Sequence, residues 1–355
     1  MDFGLSEEQQ LLQHTVGQLL ANENDPAQLR ARFDGEAELD ETFWKALMEL
    51  GLGGLLVAEE YGGAGLEVLD AAVVAETLGA GAAPGPFLGH TLAGLAIRLA
   101  GSEAQKKRWL PVLATGDALG SVAFAEEGGA WQPEQWQLPG GDTLDGVKQH
   151  VPYAGLADVI VVGTAGGGLG LVEKGASGLR VEPFAGVDRT RRLATLSFDA
   201  TPCQQLPVEG AAPRVRDAGL VLLAADAFGG AEHCLHLAVE YAKTREQFGV
   251  TIGHFQALKH QLANMVVGLE PARALYWYAA HAFDHVPEDS PRMAAQAKAH
   301  LTDCFMQTAR DTVEAHGGIG YTWECDVQIW FKRAMFDRAF LGTPATHRER
   351  LVDWY

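Results

Sequence analysis

The chain has 355 residues, of which 47% are hydrophobic and 21% are charged, a balance typical of a globular protein with a buried core. Its formal net charge is -19, with 46 acidic against 27 basic side chains, which argues against a nucleic-acid partner because binding a phosphate backbone needs clustered Lys and Arg. The acidic start MDFGLSEEQQLL and the lack of a run of about 18 apolar residues predict a cytoplasmic protein with no signal peptide and no membrane span.

Helical periodicity dominates the first third of the chain, from Ser6 to about Thr115. Ser6, followed by acidic residues, is a candidate N-cap. A glycine-rich loop at 59–65 interrupts the pattern, and further helical stretches follow at 69–78, 91–99 and 103–113. We therefore expect a helical N-terminal domain over residues 1–117.

Short β-rich runs separated by Gly, Asp and Pro then follow, at 122–124, 159–162, 169–172 and 196–198. They predict a β-barrel domain over residues 118–208. The glycine-rich segment 163–170 invites a dinucleotide-binding interpretation, but such a loop must lead into a helix N-terminus, and here a second strand follows. We predict a hairpin turn instead.

Helical patterns return at 220–242, 255–285, 290–315 and 327–341. These stretches predict a C-terminal four-helix bundle within residues 209–355. The expected fold class is mainly α with a central β-barrel.

Two histidine pairs lie at helical spacing, His233 with His236 and His281 with His285. Neither pair has a third ligand or a glutamate base at regular spacing, and the Glu-x-x-His motifs of a di-iron bundle are missing from the sequence. No metal site is predicted.

The segment Arg245–Gly249, followed by 252–256, brings a cation, an aromatic side chain and hydrogen-bond donors close to the start of a helix at Gln256. A phosphate or pyrophosphate is favoured at such a place. Spacing alone leaves open a second interpretation, a helix hairpin that exposes a surface arginine.

Nearly the whole chain resembles the acyl-CoA dehydrogenase family. The resemblance rests on motifs that occur in the family's order: LSEEQ, the loop EEYGGAG, LDGVK, TRRL, the Arg245 segment and GGIGYTWE from Gly317 onward. It implies a helical N-terminal domain, a β-barrel and a four-helix bundle, assembled as dimers or dimers of dimers. It also implies bound FAD and an acyl-CoA substrate.

The reaction of that family needs a carboxylate that removes the α-proton of the thioester while the flavin accepts a hydride. The two positions at which the family carries this base align with Gly219 and Leu341, and neither side chain can accept a proton. The resemblance therefore implies that both usual catalytic bases are absent. The family's flavin-ring contacts within one subunit are changed too, to Ala125 and Pro152.

The residues with which the family holds the FAD of a neighbouring subunit are kept in type. By resemblance, the cofactor-binding residues are Arg245, Gln247, Phe248, Gln256, Glu314, Gly317 and Gly318. Glu314 replaces a glutamine of the family. The chain is thus expected to contribute FAD contacts in trans to a different, catalytically complete subunit.

This pattern resembles the heteromeric acyl-CoA dehydrogenases of steroid side-chain catabolism, in which two unlike subunits share a flavin site and one subunit carries the base. The expected assembly has two copies of each subunit. Two alternatives remain open: a self-sufficient enzyme or homo-oligomer in which Asp217, Asp226 or Glu126 replaces the base, and a scaffold subunit without flavin.

Overall fold

The computed structural model describes residues 4–354. Six helices form the N-terminal domain: α1 (Glu7–Glu23), α2 (Pro26–Asp34), α3 (Glu41–Glu49), α4 (Val68–Ala80), α5 (Phe87–Ala100) and α6 (Glu103–Thr115). The predicted N-cap at Ser6 is confirmed: its hydroxyl accepts from the Gln9 amide at 3.1 Å, and the Gln9 side chain accepts from the Ser6 amide at 3.0 Å. This capping box satisfies two of the amides that a helix start leaves unpaired.

The central β domain contains two sheets. Its strands are β1 (Gly120–Ala123), β2 (Thr143–Pro152), β3 (Val159–Thr164), β4 (Gly168–Glu173), β5 (Arg180–Phe184), β6 (Leu193–Pro202) and β7 (Gln204–Gln205). One sheet has the order β1-β3-β4-β7 and the other β2-β6-β5. β3 and β4 pair antiparallel across a turn at residues 165–167, where Gly166 and Gly167 have φ of 74° and 75°. The predicted hairpin is confirmed, and the dinucleotide-loop interpretation is wrong, because β4 follows the glycines.

The C-terminal domain is helical again. It contains α7 (Ala211–Thr244), a hairpin of β8 (Glu246–Gln247) and β9 (Val250–Thr251), α8 (Gln256–Leu269), α9 (Arg273–His285), α10 (Ser290–His316), α11 (Val327–Ala339) and α12 (Pro344–Leu351). The prediction of one helix over 255–285 was wrong, because a 3-10 turn at Glu270–Ala272, containing Pro271, separates α8 from α9. The predicted order of a helical domain, a β domain and a helix bundle is confirmed.

Helix α7 is the central element of the C-terminal domain and packs against α4 and α10. It has 34 residues and begins nine residues before the predicted start at Leu220. Within residues 4–354 it is the one helix long and apolar enough to cross a membrane, but 89% of its most apolar window is buried inside the protein. Its apolar character is explained by its place in the core.

A buried ion network joins the three domains. Arg333 of α11 is fully buried, and its Nε lies 2.7 Å from Oδ1 of Asp226 on α7. Arg191, from the loop before β6, lies 3.0 Å from Asp226 Oδ2, and both arginines donate to the Ala83 carbonyl that follows α4. Burial alone would raise the pKa of Asp226, but the charges of Arg333 and Arg191 outweigh it and lower that pKa.

Candidate functional site

Gly219 and Leu341, the two positions at which the family resemblance leads us to expect a base, touch each other. Gly219 lies on α7, and Leu341 lies in the turn between α11 and α12. A Cβ atom added to Gly219 would lie 2.5 Å from Leu341 Cδ1 and 3.1 Å from Leu92 Cδ1. Because real Cβ atoms do not approach carbon atoms so closely, Gly219 is the residue that lets Leu341 fill this space. The Leu341 side chain therefore occupies the space in front of Gly219.

The turn that presents Leu341 is held from several sides. Leu341 is fully buried at φ +59°, a left-handed conformation that non-glycine residues rarely adopt, and Gly342 follows at φ +104°. The Leu341 carbonyl accepts hydrogen bonds from Gln132 Nε2 at 3.3 Å and from His347 Nε2 at 3.1 Å. Surrounding contacts therefore hold the leucine in its strained position.

Lys298 of α10 stabilises the same turn by hydrogen bonds to carbonyl oxygens. It is fully buried, and its ammonium donates to the carbonyl oxygens of Asp337, Arg338 and Gly342, the last at 3.2 Å. Burial lowers the pKa of Lys298 to about 7. Burial, with nearby positive charges, also lowers the pKa of His347 to about 3, so the neutral imidazole donates through Nε2.

None of the three alternative bases is a free carboxylate. Asp217 lies 2.8 Å from Arg216 Nε, and its position two residues from Gly219 places it on another face of α7. Asp226 lies seven residues beyond Gly219, about 10 Å along the helix, and both of its oxygens are paired with arginines. Glu126 accepts from Lys148 Nζ at 2.6 Å and from the amides of Gln137 and Leu138 at 2.7 and 3.0 Å.

Aromatic side chains crowd the region that the family resemblance assigns to a flavin ring bound within this chain. The Trp131 ring stacks on His150 with centroids 6.0 Å apart, and its other neighbour is Phe340 at 4.8 Å. The remaining cavity beside them has a volume of about 240 Å³. Ligand clefts usually have about 300–1,000 Å³, so this space is small for a dinucleotide.

A second cavity, of about 440 Å³, lies where α7 and α10 end. It is lined by Arg245 and Gln247, by Gly317, Gly318 and Ile319, and by Tyr241, Ile252, Ala315 and His316. Arg245 is exposed, and within residues 4–354 its guanidinium has no ion pair and no hydrogen bond. A cation left unpaired beside a cavity is suited to an anionic ligand.

The two glycines of this cavity leave its wall open. Gly317 has φ +63° and ψ -142°, a combination that only glycine adopts readily. Gly318 has no such constraint, and a Cβ at either position would meet nothing within 4 Å. Since packing does not require a glycine at Gly318, close approach of a ligand to the backbone is a physical reason for it.

Three predicted cofactor residues do not line the Arg245 cavity. Phe248 is 92% exposed at the tip of the β8–β9 hairpin, and Gln256 is exposed at the start of α8. Glu314 lines a different cavity of about 520 Å³, together with Arg310 and Lys332. The expected convergence at a helix N-terminus is also not found, since the cavity adjoins the C-terminal ends of α7 and α10.

Five residues of this cavity were not predicted from the sequence, and two of them, Tyr241 and His316, carry rings that contact each other. Their rings stack with centroids 4.3 Å apart at an angle of 20°. The signals were present, because Tyr241 lies one helical turn before Arg245 and His316 directly precedes Gly317.

The histidine pairs have packing partners. His233 stacks on Trp330 at 4.3 Å, and His281 stacks on His285 at 4.5 Å. Among residues 4–354 no group of three or more His, Cys, Asp or Glu side chains could hold a metal ion.

Comparison with known proteins identifies the family. The chain matches "Acyl-CoA dehydrogenase, N-terminal domain" over residues 6–117 and "Acyl-CoA dehydrogenase, C-terminal domain" over residues 218–355. It is 36% identical to acyl-CoA dehydrogenase IpdE2 of Mycobacterium tuberculosis, over 97% of this chain and 96% of that protein. The protein of the same name in Mycolicibacterium smegmatis is 34% identical, over 98% of both chains. The chain belongs to the acyl-CoA dehydrogenase family.

Solved structures with the same fold include subunits of complexes. A variant of the Tcur3481–Tcur3483 steroid acyl-CoA dehydrogenase superposes with a TM-score of 0.90 at 32% identity, covering 98% of this chain and 97% of that chain. The ChsE4–ChsE5 complex from M. tuberculosis gives a TM-score of 0.90 at 26% identity, covering 99% and 98%.

Proposed function

We propose that this chain is a subunit without a catalytic base in a heteromeric, FAD-dependent acyl-CoA dehydrogenase. It contributes half of a flavin site to a homologous partner that carries the base. The acyl group is proposed to be a steroid side-chain CoA ester, in line with the steroid acyl-CoA dehydrogenase among the similar structures.

One observation contributes most to this proposal: Leu341 fills the space in front of Gly219. Removing an α-proton requires a carboxylate positioned at that place, and a positioned base contributes about 100- to 10,000-fold in rate. In this chain that place is taken by the apolar side chain of Leu341, which is fully buried. The chain's own acyl site is therefore closed as well as lacking its base.

The Arg245 cavity has the opposite character, since it is open and its cation is unpaired. FAD supplies the hydride acceptor in this class of reaction, and its diphosphate fits a site with one arginine, the Gln247 amide and an open glycine wall. In our proposal Arg245, Gln247, Gly317 and Gly318 hold the diphosphate. Phe248, Gln256 and Glu314 would contact other parts of the cofactor or the partner.

The surface near this cavity is suited to assembly. Exposed apolar side chains occur on the β8–β9 hairpin, just before α8 and on α8: Phe248 at 92%, Phe255 at 37%, Val266 at 40% and Val267 at 72%. The Phe248 and Phe255 rings contact each other, with centroids 6.0 Å apart. Adjoining exposed apolar side chains commonly mark protein–protein contacts. We propose that the catalytic partner covers them and that two copies of each subunit form the complex.

Purification of the chain alone, and of the chain co-expressed with a homologous acyl-CoA dehydrogenase subunit that carries the base, tests the proposal. The isolated chain should show no dehydrogenation of acyl-CoA substrates with a dye acceptor, and the co-purified complex should be yellow and active. Activity of the isolated chain would favour the self-sufficient enzyme. Colourless, inactive protein in both preparations would favour the scaffold.

A further inference from the structure

A carboxyl group without any hydrogen-bond donor lies in the buried ion network that joins the three domains. Asp337 of α11 is 0% exposed, and neither of its carboxyl oxygens accepts a hydrogen bond from a group in residues 4–354. It lies one turn after Arg333, on the same face of α11. Burial of an ionised carboxylate without donors is so costly that such a group takes up a proton instead.

The partner of Asp337 is a second carboxyl group, that of Asp226 on α7, which lies within hydrogen-bond distance of it. Arg333 Nε donates to Asp226 Oδ1 at 2.7 Å, and Arg191 Nη2 donates to Asp226 Oδ2 at 3.0 Å. Two carboxylates only accept, so a hydrogen bond between them requires a proton on one. The two arginines favour the negative charge on Asp226, so Asp337 carries the proton and donates it.

The charges around the pair agree with this assignment. Besides Asp226 and Asp337, the charged side chains of the network are Arg333 of α11, Arg191 and Asp188 of the loop before β6, and Lys298 of α10. Lys298 has a pKa of about 7 and is neutral above that pH, so two arginines then face three aspartates.

One of the three aspartates must be protonated to leave this part of the core neutral. Asp188 has donors, since one of its oxygens accepts from the Thr190 amide at 2.9 Å and from the Thr190 hydroxyl at 2.7 Å. Asp337 has none. Burial, and then the negative charge of Asp226, raise the pKa of Asp337 well above its ordinary value of 3.8.

We propose that Asp226 and Asp337 form a buried acid pair that binds one proton, and that this proton holds α11 against α7 at the junction of the three domains. Loss of the proton would leave two carboxylates in contact in the core. The pair therefore makes this junction tighter at neutral than at alkaline pH. Leu341 follows Asp337 by one helical turn, so the turn that carries it is attached directly to the pair.

The test compares the full chain with Asp337→Asn, which keeps the shape and a donor for Asp226 but cannot ionise. Both proteins are unfolded in urea between pH 5 and pH 8. In the unfolded chain an aspartate has a pKa of about 3.9, so over this range the folded chain keeps a proton that the unfolded chain has lost. The folding constant of the unmodified chain relative to Asp337→Asn should fall about tenfold for each pH unit.

Infrared difference spectra at pH 8 give an independent measurement. The carbonyl stretch of a protonated carboxylic acid should be present in the unmodified chain and absent from Asp337→Asn. The control Asp199→Asn changes an exposed aspartate on β6 and should leave both the pH dependence and this band unchanged. If Asp337→Asn does not fold, Asp337→Leu, which also cannot ionise, replaces it. A stability difference that stays constant from pH 5 to pH 8, or an acid band that survives in the variant, would overturn the shared proton.

Discussion

The contact between Gly219 and Leu341 predicts a measurable energetic coupling. The test substitutes Gly219→Ala, both in the unmodified chain and in a chain that carries Leu341→Ala. In the unmodified chain the new Cβ would lie 2.5 Å from Leu341 Cδ1, so side chains or backbone must move. In the Leu341→Ala chain that clash is removed, and only Leu92 Cδ1 at 3.1 Å remains close.

The magnitude follows from two opposing effects. Overpacking a filled core costs about 1–3 kcal/mol, and replacing a helix-interior glycine with alanine contributes about 1 kcal/mol of stability. Gly219→Ala alone should therefore lower the free energy of unfolding by roughly 0–2 kcal/mol, whereas in the Leu341→Ala background it should raise it by roughly 0–1 kcal/mol. Leu341→Ala by itself should cost about 2–5 kcal/mol, because a fully buried leucine is removed.

The unmodified chain, the two single variants and the double variant are unfolded in urea at one protein concentration. Their free energies of unfolding form a double-mutant cycle that gives the coupling energy between Gly219→Ala and Leu341→Ala. We expect a coupling of about 1–3 kcal/mol. The matched control pairs Leu341→Ala with Gly17→Ala, a glycine inside α1 whose added Cβ would lie 4.0 Å from Thr77. The effects of Leu341→Ala and Gly17→Ala on the free energy of unfolding should add to within about 0.5 kcal/mol. If the effects of Gly219→Ala and Leu341→Ala also add to within that margin, the close contact between these two residues is refuted.

Three further predictions follow from charged residues. Arg245→Ala should lower the FAD affinity of the complex about 10-fold or more while the apo-complex keeps its stability; unchanged flavin affinity would remove Arg245 from the site. Asp226→Asn should destabilise the chain by about 3–5 kcal/mol in urea unfolding, because Arg333 and Arg191 lose their buried partner. The control Asp303→Asn also affects two arginine pairs, but these are partly exposed, so it should cost under about 1 kcal/mol. Equally small effects of both substitutions would contradict the buried network. Burial holds the pKa of Lys298 at about 7, below its ordinary value of 10.5, so above pH 7 the unfolded chain binds a proton that the folded chain does not. The stability of the unmodified chain relative to Lys298→Met should therefore rise by about 2 kcal/mol from pH 7 to pH 9, and a constant difference would contradict that shift.

The sequence predicts the helices that have strong apolar periodicity, and it misses elements that are defined by other contacts. β5 (Arg180–Phe184) is exposed along its whole length, is only five residues long and contains Pro183, which disfavours a strand prediction. Its pairing with β6 defines it as a strand. The break between α8 and α9 was overlooked because the apolar pattern continues across Pro271.

At the candidate site, residue types were readable from the sequence and distances were not. The sequence shows Gly219 and Leu341 at the two positions where the family resemblance leads us to expect a base. Their contact joins residues 122 positions apart, which no local pattern reveals. Glu314 and His316 both lie on α10, but they line different cavities, because they occupy different faces of that helix. His316 was overlooked because its contact with Tyr241 joins residues 75 positions apart.

The most direct test of the account counts flavin in the purified assembly. The molar ratio of FAD to this chain, from absorbance and amino-acid analysis, is measured together with the native mass of the co-purified complex. We expect a complex with two copies of each subunit and one FAD for each copy of this chain, and no flavin in the chain purified alone. One FAD per chain in a stable, active homo-oligomer of this chain would contradict it.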